Sequence, residues 1–129
     1  MKTLFLIFSH TLTPEQVLDA EASLGASEFI GLPPDLQTLF SQVPADLESL
    51  QQYLRPIFNW IDQNASDNDD YVLIQGDFGA TYLLVDYCKT FGYAIPIYAT
   101  TERAVINETQ EDGSVTVQRI FRHKRFRKY

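Results

Sequence analysis

Apolar residues fall along this chain in two rhythms. Short unbroken runs alternate with stretches in which they recur every three or four positions. Unbroken runs rich in β-branched and aromatic residues suit strands covered on both faces, and the wider spacing suits helices with one buried stripe. Thr3-Leu4-Phe5-Leu6-Ile7-Phe8 reads as a central, parallel strand. Thr13-Pro14-Glu15-Gln16 starts a helix, with Thr13 as N-cap, Pro14 in the first position and Gln16 closing a capping box. Val17, Ala20 and Leu24 form its buried stripe, and Gly25 stops it. Glu28 to Leu32 gives a second strand. Pro33-Pro34 open a helix through Leu36, Leu39 and Phe40, which Pro44 breaks. Asp46 is expected to cap a longer helix carrying Leu47, Leu50, Leu54, Ile57, Phe58 and Ile61, with Pro56 kinking or splitting it.

The middle of the chain is the stretch around which the rest is organised. Tyr71-Val72-Leu73-Ile74 is a buried strand, Gln75-Gly76-Asp77-Phe78-Gly79-Ala80 a turn with two glycines, and Thr81 to Cys88 a helix with Leu84, Tyr87 and Cys88 on one face. Gly92 ends that helix. Ala94 to Ala99 gives a further strand, with Pro96 marking an edge or a start. The polar cluster Thr100-Thr101-Glu102-Arg103 follows. Val105 and Ile106 resume the apolar pattern, Glu111-Asp112-Gly113-Ser114 makes a hairpin turn, and Val115-Thr116-Val117 begins the returning strand. Its alternation sets Ile120, Arg122, Lys124 and Phe126 against Phe121, His123, Arg125 and Arg127. The order β-α-β-α-α-β-α-β-β predicts one α/β domain over residues 1–129. Its sheet is mostly parallel and flanked by helices, with a C-terminal antiparallel hairpin.

Composition sharpens the picture in two places. The 129 residues are 45% hydrophobic and contain one cysteine, so a single core needs no internal disulfide, which fits a reducing cytoplasm. No apolar run reaches membrane-spanning length, and the apolar start turns polar at Ser9-His10 without a cleavage site, so it reads as a strand and not a signal peptide. The net charge of −7 hides an asymmetry: residues 119–129 hold six of the ten Lys and Arg and no acid. The preceding residues carry four basic against seventeen acidic groups. An acidic body with one cationic strip suits a small anionic ligand or self-association better than the coating of DNA. Asn64 to Asp70 reads as a solvated acidic loop without calcium-loop spacing.

A ligand of an open parallel sheet sits beyond the strands' carboxyl ends. Three of the expected strands end in polar groups there: Ser9-His10-Thr11, Gln75-Gly76-Asp77 and Thr100-Thr101-Glu102-Arg103. His10 is a general base, a stacking ring or a plain surface imidazole. Asp77 is a base, a ribose-hydroxyl acceptor or only the cap of the following helix. Glu102 and Arg103 neutralise each other or serve the site. The three acidic or imidazole groups lack a diagnostic metal spacing.

Four blocks, FSHTLTPEQ, VLIQGDFGATYL, PIYATTER and the terminal IFRHKRFRKY, resemble a small CRISPR-associated family, the Csx proteins numbered twenty. The resemblance runs over the whole chain. It implies a Rossmann-like, CARF-related ring nuclease of type III CRISPR systems, which binds a cyclic oligoadenylate, chiefly the tetramer, and linearises it. Ring opening of this kind needs no metal or cofactor, because the ribose 2′-OH attacks its own phosphodiester; catalysis then rests on in-line positioning and charge stabilisation.

On this resemblance the catalytic candidates are His10, Ser9 and Arg103. The ligand-binding candidates are Thr11, Gln75, Gly76, Asp77, Phe78, Gly79, Ala80, Thr81, Thr100, Thr101, Glu102, Arg122 and Arg125. His123 is the reserve proton carrier. A homodimer is expected, since a fourfold ring suits two identical rims. The rival readings are a binder of the same fold that does not cut, and an unrelated Rossmann-like cofactor enzyme. Against the latter, the second strand ends Gly31-Leu32-Pro33 with no ribose-binding acid.

Overall fold

The computed structural model describes residues 2–65, 69–92 and 94–129. Five strands form one sheet in the order β2-β1-β3-β4-β5. They are β1 (Lys2–Phe8), β2 (Ala26–Gly31), β3 (Tyr71–Gln75), β4 (Ile95–Thr109) and β5 (Val115–Lys128). The first four run parallel, and β5 returns antiparallel to β4. The expected mostly parallel α/β sheet with its C-terminal hairpin is present.

Four helical segments cover the two faces. In α1 (Pro14–Asp19), Thr13 Oγ1 accepts the Gln16 amide while the Gln16 side chain accepts the Thr13 amide, so the capping box forms as the sequence foretells. The helix widens into a π turn at Ala20–Leu24 and stops at Gly25, whose φ of 70° a residue with a Cβ seldom adopts. The others are α2 (Pro34–Ser41), α3 (Arg55–Asn64) and α4 (Phe78–Phe91). One sheet face buries Phe5, Ile7, Val72 and Ile74 under Phe40, Ile57, Ile61, Leu84 and Cys88. Burial pushes the Cys88 thiol up to about 12, with the charge of Asp62 adding to it, so it is unreactive packing. The other face buries Leu4, Leu73, Ile97 and Phe126 against Ala20 and Leu24 of the π turn.

Three expectations fail. Residues 46–54 form irregular chain and turns, not the first half of a long helix; α3 begins at Arg55 with Pro56 in its first turn. Proline lacks an N–H and is preset for that turn, so it starts the helix instead of kinking it. Of the acidic loop, Ser66, Asp67 and Asn68 lie outside the described residues, and Asp70 is buried, not solvated: its Oδ1 accepts the Thr3 amide at 2.9 Å. The tail does not alternate regularly either. Thr100 pairs with Arg125 and Thr101 with His123, so Lys124 is an extra residue on β5. This bulge turns His123 and Phe126 to the same side, with ring centroids 4.7 Å apart, where strict alternation would oppose them.

β4 and β5 outrun the sheet. β3 pairs with β4 only from Tyr71 to Leu73, whereas β4 and β5 remain paired from Thr101 to Thr109. That ribbon is roughly 30 Å long at the usual strand rise.

Candidate functional site

The strand order reverses between β1 and β3. The chain moves outward from β1 to β2 and then crosses back to β3, so the carboxyl ends of β1 and β3 form a topological switch point. Phe8 faces Gln75 across the ladder, which sets Ser9 and Gly76 level on neighbouring strands. Two of the three expected polar ends are thus brought together. The Gln37 side chain donates to the Phe8 carbonyl at 2.8 Å and fixes the end of β1. Gly76 lets the turn lie against Phe40: a Cβ there would stand 2.5 Å from the Phe40 ring, which would have to shift.

The third polar group belongs partly elsewhere. The Gln75 side chain accepts the Ala99 amide at 2.8 Å, so Thr100 and Thr101 lie at rim height, and Glu102 and Arg103 climb the ribbon. Thr100 bonds the backbone of Arg125 at the bulge. Glu102 faces Arg122 and makes an exposed ion pair with Lys124 at 3.6 Å, while Arg103 faces Phe121. These residues are strand interior, not a loop, because the strand continues where the sequence places its polar end.

Around the rim the remaining candidates divide among three clefts. Ser9, His10 and Thr11 border one of about 540 Å³, in which the exposed His10 ring meets Phe8 edge-on at 5.4 Å. The Ser9 hydroxyl accepts from Ser41 at 3.3 Å. Asp77, Gly79 and Tyr82 border a second cleft against the turns of residues 43–51. Asp77 caps α4: its Oδ2 accepts the Ala80 amide at 3.0 Å, so the helix terminus already holds a carboxylate of its own. An incoming phosphate is repelled there, and the amides of Phe78 and Gly79 remain as donors without an intrahelical acceptor.

Gln75, Gly76, Phe78 and Thr81 border the third cleft, of about 370 Å³, together with Tyr98 and Tyr129. The two tyrosines were not legible as site residues, since Tyr98 sits in a strand-like apolar run and Tyr129 at the end of the basic tail, far from it in sequence. Their ring centroids are 4.8 Å apart, and the Arg127 guanidinium lies 5.5 Å over Tyr98 and donates to its phenol at 2.9 Å. Burial, and then the neighbouring Tyr98, raise the Tyr129 pKa. Ala80 is buried beneath the turn and presents nothing to a ligand.

His123, the reserve proton carrier, is withdrawn from the rim. Its side chain is 5% exposed, and Nε2 lies 2.6 Å from Asp19 Oδ2 at the end of α1. The pair ties the root of the ribbon to the body. Desolvation pushes the Asp19 pKa up, but the hydrogen bonds from Ser23 and His123, with the charges of His123 and Arg125, outweigh it and leave the pKa lowered.

A further cleft of about 420 Å³ between α3 and α4 carries Asp62 and Asp86 together with Arg55. Among the described residues no helix is long and apolar enough to cross a membrane. No solved structure matches the chain. A protein of Methanocaldococcus jannaschii, described as uncharacterized protein MJ1673, is 46% identical over 129 residues, covering all of this chain and 98% of that one. The model of the uncharacterized protein MJ1673 family matches residues 2–127, and the chain belongs to that family.

Proposed function

We propose that this chain is a ring nuclease with a Rossmann-like, CARF-type domain, which binds cyclic tetraadenylate and opens it in the cytoplasm to end type III CRISPR signalling. The structural observation that supports it best is the switch point, where Ser9 stands level with Gly76 beside an exposed imidazole. The four-block resemblance supplies the ligand. The ribose 2′-oxygen forms the new bond to phosphorus as the P–O5′ bond breaks, giving a 2′,3′-cyclic phosphate and a 5′-OH. His10 takes the 2′ proton or returns one to the leaving oxygen. The Ser9 hydroxyl stabilises the developing charge, and Arg103 approaches from the ribbon, within one subunit or across a homodimer. The 2′-OH is an internal nucleophile, so the step calls for no metal-bound water.

A second reading, binding without cutting, has one observation in its favour: the Asp77 carboxylate of the rim is engaged in capping α4, which leaves His10 as the sole proton carrier among the rim residues named. Incubation with cyclic tetra- and hexaadenylate in excess chelator, with products resolved by mass, separates the two. Linear products with 2′,3′-cyclic ends are expected. An intact ring that remains bound supports the second reading, and cleavage that disappears with chelator and returns with magnesium contradicts the metal-free step.

A further inference from the structure

We infer that the cleft between Phe78 and the Tyr98–Tyr129 pair is a slot for one nucleobase, its phosphate directed to Arg127. In naming adenine this rests on the ring-nuclease reading; the planar, anionic ligand class follows from the slot itself.

One wall is ready-made. The Tyr129 phenol donates to the Ile74 carbonyl, the Tyr129 amide donates to the Pro96 carbonyl at 3.2 Å, and Lys89 Nζ donates to the Tyr129 carbonyl at 3.2 Å. Arg127 holds Tyr98 by its phenol. The opposite wall is Phe78, in the first position of α4 and 95% exposed, although this chain buries Phe5, Phe40 and Phe126. Its ring makes no aromatic contact among the described residues. An exposed phenylalanine facing fixed tyrosines across an open gap is the arrangement on which a base stacks.

The floor is polar in a particular pattern. Thr81 Oγ1 is buried and has no hydrogen-bond partner among the described residues. The Gln75 carbonyl oxygen is spent on Ala99, which leaves its amide nitrogen as a donor. A donor beside a hydroxyl acceptor complements the ring-nitrogen acceptor and neighbouring amine that adenine presents. The Asp77 carboxylate excludes phosphate from the α4 terminus, and the Arg127 side of the slot is cationic. The volume stands near the lower end of small-molecule sites, enough for one nucleotide and not for two.

The test is calorimetric titration of adenosine monophosphate, guanosine monophosphate and cyclic tetraadenylate into four proteins: wild type, Phe78→Ala, Thr81→Val and Leu18→Ala. Circular dichroism confirms their folding, and cleavage is followed in parallel. Phe78→Ala is expected to weaken adenine binding about ten- to a hundredfold. Thr81→Val should narrow the preference for adenosine over guanosine monophosphate, and Leu18→Ala, exposed on α1 and outside the clefts, should change neither. If wild type binds and opens the ring while Phe78→Ala and Thr81→Val bind as tightly, the slot is wrong and the ring-nuclease reading stands. Binding of the mononucleotide that depends on Phe78, with the ring left intact, supports the slot and overturns ring opening. No binding of any adenine nucleotide by wild type overturns the slot.

Discussion

β4 and β5 each live in two environments, and the contrast shows what supports this fold. In the sheet, Ile97 and Phe126 are buried against Leu4, Leu73 and the π turn. In the ribbon, apart from half-buried Ala104, Ile120 and His123, every residue from Thr101 to Lys124 is exposed, including Val105, Val115, Val117 and Phe121. Both regions have strand-forming residues in a ladder. Only the first has a second layer, and a two-stranded ribbon is marginal without one. The ribbon therefore draws its order from its root, where the Lys124 bulge, the Thr100 hydroxyl and the His123–Asp19 contact fix it to the body.

The contrast is sharpest for apolar truncation. Leu73→Ala, at a fully buried position in a strand covered on both faces, is expected to cost about 2–5 kcal/mol. Val117→Ala on the ribbon should stay within about 0.5 kcal/mol. Urea denaturation of both variants checks this; a comparable loss from Val117→Ala would mean that the ribbon shares the body's core. Gly76→Ala probes the point where the body supports the rim. The added Cβ meets the Phe40 ring, and a loss of about 1–3 kcal/mol is expected from the same measurement. An unchanged midpoint would show that Phe40 can withdraw freely.

A modest, pH-dependent effect lies at the joint between the two regions. The Asp19 pKa is lowered below its ordinary 3.8 by folding, so its contribution is present above that value and is lost as pH falls through the lowered folded one. Asp19→Asn should remove about 1 kcal/mol at neutral pH, since the carboxylate keeps some contact with solvent, which screens the pair. It should also flatten the decline in stability below about pH 4, measured by denaturation at several pH values. An acid limb as steep as in wild type would place that decline on other carboxylates.

Much of the body was legible because its signals are local. The capping box at Thr13, the stop at Gly25, the Asp77 cap and the turn at Glu111–Ser114 each need only a few neighbouring residues. What escaped depends on partners distant in sequence. Local acid density makes Asp70 look solvated, but its partner Thr3 is 67 positions away. Leucine spacing from Leu47 to Ile61 mimics one helix, although Leu54 reaches the core from a turn and Pro56 marks the true start. An inserted residue such as Lys124 leaves no mark on an alternating pattern, so the two faces of the tail were misassigned. Because buried Phe126 lies in β5 and the anchored Tyr129 directly follows it, removal of residues 122–129 would dismantle the sheet edge. Arg122→Gln and Arg125→Gln are the appropriate probes of phosphate contact from the tail, each expected to make ligand binding less salt-dependent if it meets a phosphate.

The central claim is that the rim of the parallel sheet opens a cyclic oligoadenylate, with His10 moving the proton. Single-turnover cleavage of labelled cyclic tetraadenylate, with protein in excess, tests it most directly. Wild type should give linear product with 2′,3′-cyclic phosphate ends, and His10→Ala should be slower by about a hundredfold with modest loss of binding. An intact ring with wild type, or equal rates for the two proteins, would contradict it.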